Sequence, residues 1–256
     1  MRQHIPNFFT LTNLFFGCCA MVYFLNGQPE SAAWCVLGSF LCDYSDGMVA
    51  RALRVSSPLG KELDSLADVV SFGVVPGAML YHLLSVIHCG GPAFSAPRPL
   101  EVSSGYAGPL SICLAALPAF LLSMFSAYRL AKFNLDTRQK HYFIGLSTPG
   151  CTLLVLGLTL AAWHNQFGIG DVIRQMPWIL YLLTALLSYL LVSEIPMFGL
   201  KFRSVRWQGN QMPYIFLVLG LTALFTLKGL GLALLIAFYI LLSIFSKHKI
   251  TGPEKK

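Results

Sequence analysis

The sequence predicts an all-α fold: a polytopic integral membrane bundle of about eight helices that forms a single domain over residues 1–256. Hydrophobic residues make up 55% of the chain and charged residues only 11%, whereas a soluble domain has about 25% charged residues. Apolar runs near the roughly 20 residues needed to cross a bilayer recur along the whole length. Basic residues gather in alternate connecting segments, as they do in polytopic proteins.

The spans can be justified in chain order. The first is interrupted by Asn13 and is followed by no small-residue cleavage pattern, so it is predicted to be an uncleaved helix rather than a signal peptide. A Ser-Ser-Pro-Leu-Gly turn at 56–60 separates the second span from the third and should fold them antiparallel. The later spans are apolar runs, several of them marginal in length. The eight predicted spans are 8–25, 31–53, 65–88, 109–131, 148–164, 177–200, 213–227 and 229–246.

The charge distribution predicts that both termini are cytoplasmic. With eight spans and an inner N-terminus, 15 of the 18 basic residues fall in inner segments, and only Arg98, Arg174 and Lys228 fall outside. This is the asymmetry of the positive-inside rule. The net charge of +7 then indicates an inner face that meets anionic lipid headgroups, and no nucleic-acid partner is expected.

The seven cysteines are expected to be small apolar residues without a disulfide. Their number is odd, no Cys-x-x-Cys pair occurs, and most lie within apolar runs.

Four aspartates stand at the junction of the second and third spans. They are Asp43, Asp46, Asp64 and Asp68, out of only eleven acidic residues. The first two are three residues apart and the last two are four apart, so each pair shares a helix face. The intervening turn should bring both pairs to one depth near the inner surface.

Clustered carboxylates repel one another and, in a membrane, require a cationic partner. Arg51 and Lys61 are too few to neutralise four of them, whereas a pair of Mg²⁺ or Mn²⁺ ions would suffice. Gly47 and Ala50 leave room beside Asp46 for a ligand. The residues therefore favour metal-assisted phosphoryl chemistry, with ion transport and helix capping as the alternatives.

The same stretch resembles the signature of the CDP-alcohol phosphotransferase family, D-G-x-x-A-R-x8-G-x3-D-x3-D. Each fixed position of this signature is present, with a further leading aspartate at Asp43. The matching residues are Asp46, Gly47, Ala50, Arg51, Gly60, Asp64 and Asp68. The earlier PNFFTLTN, which carries Pro6, Asn7, Thr10 and Asn13, resembles the family's approach to its first span.

Within the family, GKELDSLADVVSFGVVP and RLAKFNLDTRQKHYFIGLSTPG resemble the bacterial and archaeal phosphatidylserine synthases. One departure is that Ser147 replaces the proline expected after Gly145-Leu146, although Pro149 follows. The resemblance covers about residues 5–150, the predicted catalytic core. The additional helices at about 177–246 are less diagnostic.

The resemblance implies that the chain transfers the phosphatidyl group of CDP-diacylglycerol to L-serine and releases CMP. It also implies a homodimer in the inner membrane, with the active site near the cytoplasmic face. The four aspartates would hold two metal ions, and Asp68 would also accept the serine proton. The expected CDP-diacylglycerol ligands are Asn13, Gly47, Ala50, Arg51 and Gly60. The candidates for serine or phosphate binding are Glu62, Arg129, Lys132 and Asn134.

Two alternatives to this activity are open on the sequence. One is another member of the family with a different alcohol acceptor. The other, from a different functional class, is a metal-ion transporter.

Overall fold

A computed structural model describes residues 4–55, 57–89, 112–135, 143–197 and 211–245. This part of the chain is almost entirely helical, which confirms the predicted fold class. Several basic residues used to predict the orientation, among them Arg98, Arg138 and Lys140, lie outside the described residues.

The first half of the chain builds the end of the bundle where the aspartates lie. Its elements are α1 (His4–Leu25), α2 (Pro29–Leu53), α3 (Pro58–Val69), a π-helical turn (Val70–Val74) and α4 (Val75–Cys89). Between α2 and α3, Arg54 adopts a left-handed conformation with φ 52°. Ser57 then caps α3 by accepting a hydrogen bond of 2.9 Å from the Gly60 amide, with Pro58 in the first turn. A break between the second and third predicted spans is therefore confirmed, but Pro58–Gly60 already belong to α3, and Ser56 lies outside the described residues.

Helix α1 packs against both α2 and α3. The two aspartate-bearing helices are thus joined through α1, and its polar residues can reach both pairs of aspartates.

The second half packs around this unit. Its elements are a 3₁₀ segment (Leu114–Phe120), α5 (Leu121–Leu135), β1 (Phe143–Ile144), α6 (Thr148–Trp163), a 3₁₀ turn (Gln166–Gly168), α7 (Ile169–Gln175), α8 (Trp178–Val192), β2 (Pro196–Met197) and α9 (Gln211–Phe245). Strands β1 and β2 pair antiparallel, α5 packs on α8, and α6 packs on α9. Ser147, which replaces the expected proline, caps α6 by accepting from the Gly150 amide.

Four helical segments in the described part of the chain are long and apolar enough to cross a membrane. They are His4–Leu25, Pro58–Cys89, Leu114–Leu135 and Thr226–Ile244. The pair Gln166–Gln175 and Trp178–Val192, bent by 99°, would make a fifth if it is one span. The structure thus supports a polytopic membrane protein, and the number eight stays a prediction.

The number of span candidates in the described residues is smaller than the predicted eight for local reasons. Helix α2 carries Asp43, Asp46 and Arg51 in its second half, which lowers its apolar character. Helix α6 has only 16 residues. Within α9, Lys228 leaves the helical conformation (φ 48°, ψ −124°), where the predicted seventh and eighth spans meet.

Large apolar side chains lie on both the inside and the outside of the bundle. Phe72, Met79 and Leu83 are fully buried, whereas Phe8 and Trp34 are exposed. Exposed apolar surface of this kind is expected where lipid rather than water surrounds the helices.

Cys89 and Cys113 form a disulfide, with their Cα atoms 6.1 Å apart. The expectation of no disulfide was therefore wrong. The two cysteines are 24 residues apart in sequence and meet only because the end of α4 packs beside the 3₁₀ segment. Cys89 lies 21 residues beyond Asp68 on a nearly continuous helical path, so the disulfide is about 30 Å from the aspartates.

Candidate active site

A cavity of about 480 Å³ opens where α1 begins, α2 ends and α3 begins. The expected substrate ligands Gly47, Ala50, Arg51 and Gly60 all line it, together with Asp46 and Asp64. The other lining residues are Pro6, Asn7, Thr10, Arg54, Val55, Ser57 and Lys61. Its walls thus carry three basic side chains and two carboxylates, a composition suited to a phosphorylated ligand held with a cation.

Three of the four aspartates converge. Asp43, Asp64 and Asp68 are partly buried, and each has a carboxylate oxygen within 4.8 Å of the other two. Asp64 Oδ1 is buried and has no hydrogen-bond partner among the described residues. An unpartnered buried carboxylate oxygen within an all-oxygen cluster fits a hard divalent cation such as Mg²⁺ or Mn²⁺.

The fourth aspartate is held differently. Asp46 is only 8% exposed, and its Oδ2 accepts a hydrogen bond of 2.8 Å from the Thr10 hydroxyl of α1. It lies on the cavity wall beside Asp64 rather than within the group of three. The spacing of the aspartates predicted that all four would converge, but it could not separate the three from the fourth.

Asn13 is fully buried and lies outside the cavity lining. Its Nδ2 donates to Asp68 Oδ1 at 3.1 Å. The Ser39 hydroxyl of α2 donates to Asn13 Oδ1, which leaves the amide nitrogen directed at the carboxylate. In this structure Asn13 is therefore a hydrogen-bond partner of Asp68, and its role as a CDP-diacylglycerol ligand stays a prediction.

Two glycines at the cavity differ in their surroundings. A Cβ added at Gly47 would meet no atom of the described residues within 4 Å beyond its own stretch of helix, so this position is open to a ligand. A Cβ at Gly60 would lie 3.1 Å from Asn7 Oδ1, so this glycine allows α1 to approach α3 closely. Arg51 donates from Nε to the Gly47 carbonyl at 2.9 Å.

The candidates for serine binding on α5 meet different partners. Arg129 is 8% exposed, its Nε has no hydrogen-bond partner in the described part of the chain, and its charge acts on Asp68. Lys132 Nζ lies 3.8 Å from Glu194 Oε1. Asn134 donates at 2.7 Å to the hydroxyl of Ser65, the neighbour of Asp64.

Glu62, the fourth candidate for serine binding, is exposed and does not line the cavity. Among the described residues, the structure therefore does not place Glu62 on the cavity wall with the predicted substrate ligands.

Several polar residues at the site had no assigned role in the sequence analysis. Thr10 and Ser39 are the clearest cases, since one donates to Asp46 and the other to Asn13. One indication in the sequence that this face of α1 matters is the spacing of Pro6, Thr10 and Asn13, which places all three on it. Their partners lie 26 or more residues away in sequence, so spacing alone could not identify them.

Comparisons with known proteins show the family of this chain. Residues 3–190 match the family model described as CDP-alcohol phosphatidyltransferase. A CDP-diacylglycerol–serine O-phosphatidyltransferase of Helicobacter pylori strain J99 is 30% identical over 244 residues, which cover 93% of this chain and 89% of that protein. The protein of the same name from Bacillus subtilis strain 168 is 31% identical, over 75% of this chain and 89% of its own length.

Proposed function

The chain belongs to the CDP-alcohol phosphatidyltransferase family, and on that basis we propose that it transfers the phosphatidyl group of CDP-diacylglycerol to L-serine and releases CMP. The observation that carries this proposal is the convergence of Asp43, Asp64 and Asp68 beside a cavity lined by the family signature. The acceptor is inferred from relatives whose names specify serine. Family membership argues against the metal-ion transporter considered above.

The four aspartates are the proposed metal ligands. Asp43, Asp64 and Asp68 would form the centre and Asp46 would complete the set, and two ions would balance the four negative charges. When bound by these carboxylates, a divalent cation would neutralise the pyrophosphate and would stabilise the negative charge on the departing CMP. Asp64 supports the assignment because its buried Oδ1 has no protein donor among the described residues.

Asp68 is the proposed general base. The serine oxygen forms a bond to the phosphorus that carries diacylglycerol, while the bond from that phosphorus to the CMP oxygen breaks. The bonding electron pair leaves with CMP, and the serine hydroxyl proton passes to the Asp68 carboxylate. The hydrogen bond from Asn13 holds this carboxylate in one orientation.

The cavity would receive the CDP headgroup. Gly47 and Ala50 leave space for it, and Gly60 lets the start of α3 approach it. Arg51, with the other basic residues on the wall, would pair with the phosphates.

Arg129 is the strongest candidate for the serine carboxylate, because it is a buried cation with an Nε that no described residue satisfies. Lys132 and Asn134 already have protein partners, and they would act from the edge of the site. Glu62 is a candidate ligand of the serine ammonium only because its side chain is negatively charged.

The proposed setting is the inner membrane, with eight spans, cytoplasmic termini and the aspartates near the cytoplasmic face. The Cys89–Cys113 disulfide supports this orientation, because disulfides persist on the oxidising side and this one lies far from the aspartates. All 256 residues would form one membrane domain, with a catalytic core at about 5–150 and additional helices at about 177–246. The homodimer implied by the resemblance is kept as part of the proposal.

The deciding experiment is a substrate panel. Purified protein in detergent is supplied with CDP-diacylglycerol, Mg²⁺ or Mn²⁺, and serine, glycerol 3-phosphate or inositol in separate reactions. We expect CMP release and phosphatidylserine formation with serine alone. Release with another alcohol but not with serine would overturn the proposed acceptor, and no release with any alcohol would overturn the proposed reaction.

A further inference from the structure

A π-helical turn begins two residues after Asp68. In this turn, Val70–Val74, the Val75 amide donates to the Val70 carbonyl five residues back. The extra residue rotates everything after the turn by about 100° relative to an uninterrupted α-helix. The turn separates α3 from α4. In α3 only Ala67 is buried, whereas most residues of α4 are buried.

Hydroxyl groups from two other helices bond the carbonyls of this turn. Thr152 Oγ1 of α6 lies at donating distance from two carbonyls, that of Phe72 at 3.1 Å and that of Thr148 in its own helix at 3.0 Å. Ser123 of α5 donates from Oγ to the Gly73 carbonyl at 2.8 Å. These donors matter because a π turn shifts carbonyls out of the regular α-helical hydrogen-bond pattern, and unpaired carbonyls are costly inside a bilayer.

The turn is also connected to the aspartates. Ser71, within the turn, donates to the backbone carbonyl of Asn13 at 3.2 Å, and the side chain of Asn13 donates to Asp68. Gly17 of α1 allows this approach, since a Cβ there would lie 3.0 Å from the Ser71 Cα. A change in the turn would therefore move both the helix that carries Asp68 and the amide that orients it.

We propose that Thr152 and Ser123 are positioning residues for Asp64 and Asp68. By holding the π turn, they fix the rotation of α3 about its axis, and hence where its two carboxylates lie relative to Asp43. A relaxed turn would displace oxygens that now lie within 4.8 Å of one another, and a metal site tolerates only about 0.5 Å of misplacement. This inference rests on the proposed function for its catalytic part, whereas its metal-binding part can be measured without turnover.

The test compares two buried threonines of α6. Thr152→Val removes the donor to the π turn with little change of shape. Thr159→Val is the matched control for the loss of a bond within α6, because Thr159 is equally buried and, among the described residues, donates only to the Val155 carbonyl of its own helix, at 2.7 Å. Thr152→Ser keeps the hydroxyl and is the rescue variant.

Three quantities are measured for each variant: kcat and KM with CDP-diacylglycerol and serine, Mn²⁺ affinity by electron paramagnetic resonance, and the melting temperature. For Thr152→Val we expect kcat to fall about 10- to 100-fold, the usual effect of a small misplacement, and Mn²⁺ to bind more weakly. Thr159→Val should match the wild type in kcat and Mn²⁺ affinity, and Thr152→Ser should restore both.

The proposal is overturned if Thr152→Val and Thr159→Val have the same kcat and Mn²⁺ affinity, whatever their melting temperatures. If Thr152→Val does not fold, Ser123→Ala takes its place and must show the same two losses. If the wild-type protein releases no CMP with serine, the proposed function fails, while the Mn²⁺ comparison still decides whether these hydroxyls position the aspartates.

Discussion

Asn13 of α1 donates a hydrogen bond of 3.1 Å from its amide nitrogen to Oδ1 of Asp68 on α3. The bond joins a fully buried neutral side chain to a carboxylate of the proposed metal centre. It fixes the direction of the carboxylate, and Ser39 fixes the amide in turn. The orientation of the proposed base therefore depends on two residues that do not line the cavity and are not among the proposed metal ligands.

Replacing Asn13 should impair the chemical step more than substrate binding. Asn13→Ala removes the donor to Asp68 and the side-chain acceptor of Ser39, so we expect kcat to fall at least about 10-fold with KM for CDP-diacylglycerol little changed. Asn13→Asp should be worse, because it places another carboxylate against Asp68. Steady-state kinetics of both variants test this, and a raised KM with normal kcat would instead indicate direct substrate binding.

Removal of a metal ligand should abolish turnover without removing the protein from the membrane. We expect this of Asp43→Ala and Asp64→Ala, because each deletes an oxygen from the shared group. EDTA should have the same effect on the wild type, and added Mg²⁺ or Mn²⁺ should reverse it. Asp171→Ala is the control. This exposed residue lies on α7, far along the chain from the four aspartates, and it pairs with Arg174 of the same helix. Full activity in metal-free buffer would contradict the metal assignment.

Asp68→Asn distinguishes a base from a ligand. If Asp68 acts mainly as a base, the chemical step should fall by about 10²–10⁴-fold while CDP-diacylglycerol still binds. If it acts mainly as a ligand, metal affinity should fall, and high Mg²⁺ or Mn²⁺ should recover much of the rate. We expect mostly the first result, because the remaining carboxylates still hold metal. Near wild-type turnover at ordinary metal concentration would rule out both roles.

Gly47→Ala should weaken substrate binding without lowering the stability of the protein. The added methyl group meets no atom of the described residues within 4 Å beyond its own stretch of helix. Alanine also favours a helix over glycine by about 0.5–1 kcal/mol, so the protein should be as stable as the wild type or slightly more so. The same methyl group occupies a wall of the cavity, so KM for CDP-diacylglycerol should rise. Thermal unfolding and kinetics measured together check both halves, and an unchanged KM would show that the headgroup binds elsewhere.

The disulfide predicts which side of the membrane each end of the bundle faces. After mild reduction of intact cells, a membrane-impermeant maleimide should label Cys89, the exposed member of the disulfide. In a variant whose native cysteines are replaced, Arg54→Cys at the cavity should be labelled only after the cells are opened. Labelling of Arg54→Cys from outside would reverse the proposed orientation.

The sequence allowed the helical class, the membrane setting and the helix break at Ser57 to be predicted, because these follow from local composition and local capping. The spacing of the aspartates also predicted that all four would converge, and the structure brings Asp43, Asp64 and Asp68 together, with Asp46 beside Asp64 on the cavity wall. Contacts between segments that are distant in the sequence could not be predicted from it. The hydrogen bond from Thr10 to Asp46 and the Cys89–Cys113 disulfide both depend on how whole helices pack, which no local pattern encodes.

The crowding of Asp43, Asp64 and Asp68 has a consequence for how long the protein persists in the membrane. Carboxylates this close repel one another in the ion-free state, so a cation that binds only the folded form shifts the folding equilibrium by mass action. At a free ion concentration about 100 times the dissociation constant, this linkage is worth about 2.7 kcal/mol. A cell starved of the ion would then lose the protein to proteolysis as well as losing its activity, so that supply of the metal would control enzyme abundance.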